Sequence, residues 1–409
     1  MKIWWPKVVL FSGLLIGIDS VCAQTWMPTS VPTNLWSGIA CSADGSKLFA
    51  CAGYPSAANP ARSSIYISTD GGSNWTPSTA PSNYWSSIAC SADGSHIVAV
   101  TGEPSPLGTL YTSADGGSTW VSNNVPPQSW RSVACSADGS RIFAVTLFGQ
   151  FFRTTNSGAV WLPSAVPSGV WSIASAADGV RLISVGQGAY VYTSTNSGEI
   201  WITNTSSSSS FWSAASSADG KMLAVADGVG GLSGHIYTST NFGQSWFSNG
   251  LPSLSWQFIA LSADGTKMIA AAWHGSISPY GPIYTSTDSG NTWISNNVPN
   301  VAWQWLTCSA DGNKLVGVST RTTLGGAPSG NIWVSQTLSP PSLNLMPANS
   351  NVILSWLVPS TRFILQQSPD LATSWTTVTN LPVLNLTNLD NEVILSPSDP
   401  AGFFRLTAP

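Results

Sequence analysis

The chain has 409 residues, enough for one large all-β domain and a small companion. Only 8% of them are charged and the formal net charge is −4, so no basic face for nucleic acid or an anionic membrane surface is expected. Hydrophobic residues make up 43% of the chain and 21 positions are Trp, a composition that excludes disorder because so much aromatic surface stays soluble only when buried.

Residues 1–23 read as a cleaved secretory signal: Lys2 and Lys7 precede the apolar run Val8 to Ile18, and Val21-Cys22-Ala23 stands before Gln24. The run is too short to span a membrane, and Asp19-Ser20-Val21 is a poor setting for a lipid anchor on Cys22. The mature chain is expected to be secreted: extracellular, periplasmic or at the cell surface. Cys41, Cys90, Cys135 and Cys308 share one repeat position, and Cys51 lies in the strand after Cys41. Buried free thiols are expected, although an oxidising compartment permits a bridge. No Cys or His pair stands at ligand spacing, so neither a metal nor another cofactor is expected.

From Trp36 onwards the chain repeats. Trp36-Ser-Gly-Ile-Ala-Cys-Ser-Ala-Asp44-Gly45 returns at Trp85, Trp130, Trp171, Trp212, Trp256 and Trp303, each time as a strand that starts at Trp and runs into an Ala-Asp-Gly turn. A second apolar strand follows, such as His96 to Val100, then a third, such as Thr109 to Thr112. Between the third and fourth strands stands Ser113 to Trp120, Ser-Ala-Asp-Gly-Gly-Ser-Thr-Trp. It recurs at Ser68–Trp75, Thr154–Trp161, Ser194–Trp201, Ser239–Trp246 and Ser286–Trp293. The central residues Asp70, Asp115, Asn156, Asn196, Asn241 and Asp288 suit a turn: Asp or Asn bonds its own backbone two residues on, Gly takes the positive φ, and Trp packs the hairpin base. Four strands recur every 41 to 49 residues.

The eight-residue pattern resembles the Asp box, or bacterial neuraminidase repeat, found in sialidases, sortilin-type receptors, xyloglucanases and photosystem II assembly-factor propellers. The resemblance implies a β-propeller. It does not imply one activity, because these hosts share none. Seven first halves meet six boxes, and the N-terminus supplies what is missing: Gln24-Thr-Trp26 to Pro32 aligns with Asn291-Thr-Trp293 to Pro299, a fourth strand without its blade. Residues 24–337 are therefore expected to form a seven-bladed propeller closed by the N-terminal strand. After the stiff linker 338–342, residues 343–409 alternate in short runs and are expected to form a small β-sandwich-like module. Its early strands resemble those of fibronectin type III modules, and its Phe-Phe-Arg-Leu ending resembles small C-terminal modules of secreted bacterial proteins.

Strand alternation puts the Ala-Asp-Gly turns and the boxes on one face of the disc. The opposite, loop face varies, and variable loops on a rigid scaffold commonly carry binding. Blades three and four have tight connections, whereas those of blades five, six, seven, one and two are longer and hold Arg62, Trp273, His274, Tyr280 and Arg321. Those five are the expected binding residues. Glycoside hydrolysis needs two carboxyl groups, and outside the turns only Glu103 and Asp227 are weak catalytic candidates. The arginine motif of sialidases is missing, so a hydrolase would be xyloglucanase-like. The seven inner-strand Trp could ring the loop face as sugar stackers, but packing between blades is the preferred reading; the shorter Trp-to-turn spacing in blades four and five makes an equivalent ring doubtful. The expectation is thus a monomeric, non-catalytic binding or scaffold propeller for a glycan or protein ligand. A glycoside hydrolase and an assembly factor for a membrane complex are the alternatives.

Overall fold

The structure is a computed structural model that describes residues 9–10, 25–53, 63–102, 108–165, 169–186, 188, 190–205, 210–228, 234–273, 281–299, 301–320, 330–349, 351–369, 374–395 and 403–409. The described residues form nine four-stranded sheets and no helix. Seven of the sheets repeat one meander. In the first, Trp36–Cys41, Leu48–Ala52, Tyr66–Ser68 and Thr76–Pro77 pair antiparallel in order. The second strand is the best buried: all five residues of Leu48–Ala52 are inaccessible, because both of its faces meet neighbouring sheets. Outer strands are two residues long except in blades three and four, where Leu162–Ala165 and Ile202–Thr205 are four. Such short edges offer little backbone for unwanted pairing.

The seven sheets form a ring. Each inner strand touches the inner strand of the next blade, and Ala302–Cys308 of the last touches Trp36–Cys41 of the first. A backbone circuit runs round the turn end of these strands: Ala43 N–H donates to the Ala92 carbonyl, and Ala92, Ala137, Ala177, Ala218 and Ala263 each donate to the equivalent Ala of the next blade. Ala310 N–H then returns to the Ala43 carbonyl, all at 2.7–2.8 Å. Donors that would otherwise be orphaned at the axis are satisfied by one another. The last sheet borrows its fourth strand: Met27–Pro28 pairs antiparallel with Ile332–Gln336, Met27 opposite Val334. Trp26 is buried beside it, its ring 5.5 Å from that of Trp303.

Both turn types lie on one face, tied by backbone bonds such as Gly71 N–H to the Ser46 carbonyl and Gly116 N–H to the Ser95 carbonyl. Gly45 sits at φ 69° in its Ala-Asp-Gly turn, a conformation disfavoured once a Cβ is present.

The C-terminal segment forms two sheets around Leu354, Trp356, Leu365, Val393, Leu395 and Phe404. One of them carries Val9–Leu10 as a parallel partner of Phe403–Phe404. The segment docks on the axial part of the turn face. Val358 packs on Ala43 and Ala310, with Leu384 and Leu389 beside it. Ser360 donates its N–H (2.7 Å) and hydroxyl (3.0 Å) to Asp311 Oδ2, and Asn313 Nδ2 donates to the Ser339 carbonyl. Leu389, at φ 61°, points into an axial cavity of about 170 Å³ lined by the Ala circuit and by Cys41, Cys90, Cys135 and Cys308. All five described cysteines are free. Burial pushes the Cys51, Cys90 and Cys308 thiols up to about 12, which keeps them protonated and unreactive.

Candidate functional site

The turn-face carboxylates are engaged by their own turns. Asp70 Oδ1 accepts from Ser68 Oγ and Asn74 N–H, both at 2.8 Å, and Oδ2 from Asn74 Nδ2 at 2.6 Å. Ser68 Oγ in turn accepts from Gly72 N–H, and Trp75 Nε1 donates to the Gly72 carbonyl. Asp115 and Asp288 repeat the set. Asn156, Asn196 and Asn241 keep the inner half of it, one oxygen accepting from the preceding hydroxyl and from the backbone N–H four residues on. The backbone N–H and side chain of Asn74 hold the Asp70 carboxyl down at about 2, and the hydroxyl and N–H of Thr119 do the same for Asp115. These groups stay ionised and occupied.

The residues expected to bind ligand fall elsewhere. Arg62, His274, Tyr280, Arg321 and the weak catalytic candidate Glu103 lie outside the described residues. Trp273 is a strand residue rather than a loop residue: it closes Met268–Trp273, with Ser255 opposite. Asp227 is likewise a strand residue. It is the last residue of Leu223–Asp227, pairs with Phe211, and is only 9% exposed, so it does not stand in the open loop where the sequence placed it.

A different cluster is present at the loop-face end of the inner strands. Every inner strand carries a bulge after its first or second residue. In five blades the residue before the bulge is Trp36, Trp85, Trp130, Trp256 or Trp303, each buried. Trp36, Trp85, Trp130 and Trp256 also donate Nε1 to backbone carbonyls. In blades four and five that position is held by Val170 and Phe211, both fully buried, and Trp171 and Trp212 occupy the bulge itself. Both strands begin one residue before the Trp that marks their start in the repeat. The signal for this was the spacing from Trp to Ala-Asp-Gly, one residue shorter in these two blades; the structure keeps the bulge and moves the Trp into it.

The bulge position elsewhere holds Ser37, Ser86, Arg131, Gln257 and Gln304. Ser37 and Ser86 use it to reach the next blade, donating to the carbonyls of Trp85 (2.6 Å) and Trp130 (3.1 Å). Arg131, Trp171 and Trp212 are neighbours round the ring: the Arg131 guanidinium carbon lies 5.9 Å from the Trp171 ring centre, and the two indoles are 4.7 Å apart at 55°. Gly228 lets the chain pass close to the Trp256 carbonyl oxygen, from which a Cβ would stand 2.3 Å, with Trp212 Cδ1 also near at 3.1 Å. Exposed Phe148 stands in the short connection of blade three, and exposed Tyr190 opens the third strand of blade four.

Solved structures resemble this architecture. Ycf48 from Cyanidioschyzon merolae matches with a TM-score of 0.54 at 14% identity, over 76% of this chain and 98% of that one. The fold is a β-propeller. A structure described as Ycf48 bound to D1 peptide matches at 0.55 and 17% identity, over 78% of this chain and 97% of its own. The GH74 xyloglucanase of Xanthomonas campestris matches at 0.56 and 13% identity, over 82% of this chain and 59% of that enzyme. At these identities the likeness shows the fold alone. No protein-family model matches the chain, and no curated protein matches it either. Among the described residues, no group of three or more His, Cys, Asp or Glu is placed to hold a metal ion, and no helix is long and apolar enough to cross a membrane.

Proposed function

We propose that this chain is an Asp-box propeller that works outside the cytoplasm as a non-catalytic binding or scaffold protein, taking a glycan or protein ligand at the loop face. The observation that carries the proposal is the division of labour between the two faces. The axial part of the turn face is covered by the C-terminal segment and the Asp70, Asp115 and Asp288 carboxylates around it are satisfied, whereas the loop face presents Arg131, Trp171 and Trp212 at the start of its inner strands. In this reading residues 24–337 are the propeller, 343–409 are its cap, and one side of the mouth is the proposed place of the ligand, with Trp273 at the end of its strand and Arg62, His274, Tyr280 and Arg321 in the longer connections beside it. Propellers seen with a peptide, or within a checkpoint complex, are in keeping with a partner-binding role. A hydrolase would draw on Glu103 and Asp227, and the burial of Asp227 counts against that pairing.

The test is a screen of the full mature chain against immobilised glycans and extracellular proteins, run beside a panel of soluble polysaccharides in which released reducing ends are measured. Retention without release is expected. Release of reducing ends that disappears in Glu103→Gln would overturn the proposal in favour of the hydrolase.

A further inference from the structure

Trp171 and Trp212 are surplus to packing. The core position of their strands is already filled by Val170 and Phe211, and the equivalent bulge position is satisfied by serine in blades one and two. Folding therefore does not require two indoles there. Both are half-buried, leaving part of each ring open at the mouth of the axis. Neither is pinned by its N–H: Trp212 Nε1 is enclosed without a hydrogen-bond partner, as is that of Trp303, whereas Nε1 of Trp36, Trp85, Trp130 and Trp256 donates to a backbone carbonyl. Onward round the ring, Gln257 and Gln304 stand at the same bulge position, and their side-chain amides make no hydrogen bond with the described residues. On the other side is the Arg131 guanidinium.

We infer that this arc, Arg131, Trp171, Trp212, Gln257 and Gln304, is a sugar-binding site that takes the terminal ring of a neutral glycan chain. The inference rests on the loop-face binding role proposed above and names its ligand class. Apolar C–H faces of a pyranose stack on indole, which combines a large apolar face with no charge to desolvate. Sugar hydroxyls both donate and accept, which matches amides that also do both, whereas a guanidinium only donates. Amides and indoles outnumber the one cation, so a neutral ring fits better than an anionic one. The terminal unit is specified by the axis itself. Leu389 stands in the axial cavity beside the Ala circuit, so a chain entering from the loop face is obstructed at the turn-face end and enters end-first. Two indoles in direct contact, 4.7 Å apart and tilted at 55°, form one angled apolar surface the size of a single ring rather than a flat shelf for several.

The test uses the full mature chain on an array of neutral oligosaccharides immobilised through their reducing ends, with the same chains capped at the non-reducing terminus as a second arm. Affinities of the hits are then measured by titration, followed by indole fluorescence. The expected result is binding to uncapped chains only, a tenfold or greater loss in Trp171→Ala and Trp212→Ala, and a several-fold loss in Gln257→Ala and Gln304→Ala. Melting temperatures should stay near that of the parent. Trp171→Phe, which keeps an aromatic face, should recover part of the affinity. Binding that survives the Trp171→Ala and Trp212→Ala double change in a folded chain overturns the site. Equal binding to capped chains overturns the terminal-ring assignment. No glycan retained, with a protein captured instead, overturns the sugar class while leaving the broader binding role standing.

Discussion

At the residue scale, the turns show how much of an ionised side chain the fold uses. Three of the six boxes carry Asn, and its single acceptor oxygen keeps the two inner bonds that Asp makes. The second carboxylate oxygen adds a side-chain bond in Asp70, Asp115 and Asp288. Protonation must disturb these contacts. The carboxyls of Asp70 and Asp115 lie at about 2 in the folded chain against 3.8 in the unfolded one, so they favour folding above pH 4 and lose that contribution as pH falls from about 4 to 2. Replacing both with Asn, as in Asp70→Asn with Asp115→Asn, should lower the melting temperature modestly at pH 7, because the bond to the second oxygen is lost, and make its fall between pH 4 and 2 shallower. An acid limb identical to the parent's would show that these carboxyls are not held by their turns. The turn chemistry was legible residue by residue, since Ser, Asp or Asn, Gly and Trp each do a local job. Leu389 was not: its positive φ and axial position depend on where a distant segment docks.

At the element scale, the strand order could be read because a Trp, an Ala-Asp-Gly turn and a box recur with one period. The inner-strand register in blades four and five could not be read with the same ease. A Trp one residue nearer its turn is compatible with a lost bulge or with a shifted Trp, and only the fully buried Val170 and Phe211 decide for the shift. The two positions should respond differently to truncation. Trp130→Ala removes a buried ring packed against Phe152 at 5.3 Å and should cost about 3–5 kcal/mol. Trp171→Ala removes a half-buried one and should cost about 1 kcal/mol or less. Denaturant titration of the two variants reads this contrast, and equal losses would mean that Trp171 belongs to the core after all. Blades three and four also have the longest outer edges, bordered by exposed Leu162 and Ile202, a difference that the box pattern does not encode.

At the scale of the whole molecule, two joints hold the disc. One is the borrowed strand, where Met27–Pro28 completes the last sheet, Thr29 N–H reaches the Ile332 carbonyl and Trp26 packs on Trp303. Deleting residues 24–32 strips that edge, and the expected outcome is aggregation or a large fall in melting temperature; unchanged solubility and melting would refute this closure. The other joint is the cap, in which Val358 bridges Ala43 and Ala310 across the seam between first and last blades while Ser360 bonds Asp311. The repeat announced the first joint, because a fourth strand without a blade stood beside a blade without a fourth strand. Nothing local announced the second, since its partners are 49 residues apart at Asp311 and Ser360 and further still at Ala43 and Val358.

That cap leads to the claim on which the functional account turns, that ligand meets the loop-face axis and not the turn face. Amide hydrogen exchange of the full chain, with and without a saturating ligand retained in the screen, tests it most directly. Slowed exchange confined to the loop-face ends of Val170–Ser175 and Phe211–Ser216 and the connections around them is the expected result. Slowed exchange in the Ala-Asp-Gly turns, the boxes or residues 343–409, with those strands unchanged, would contradict it.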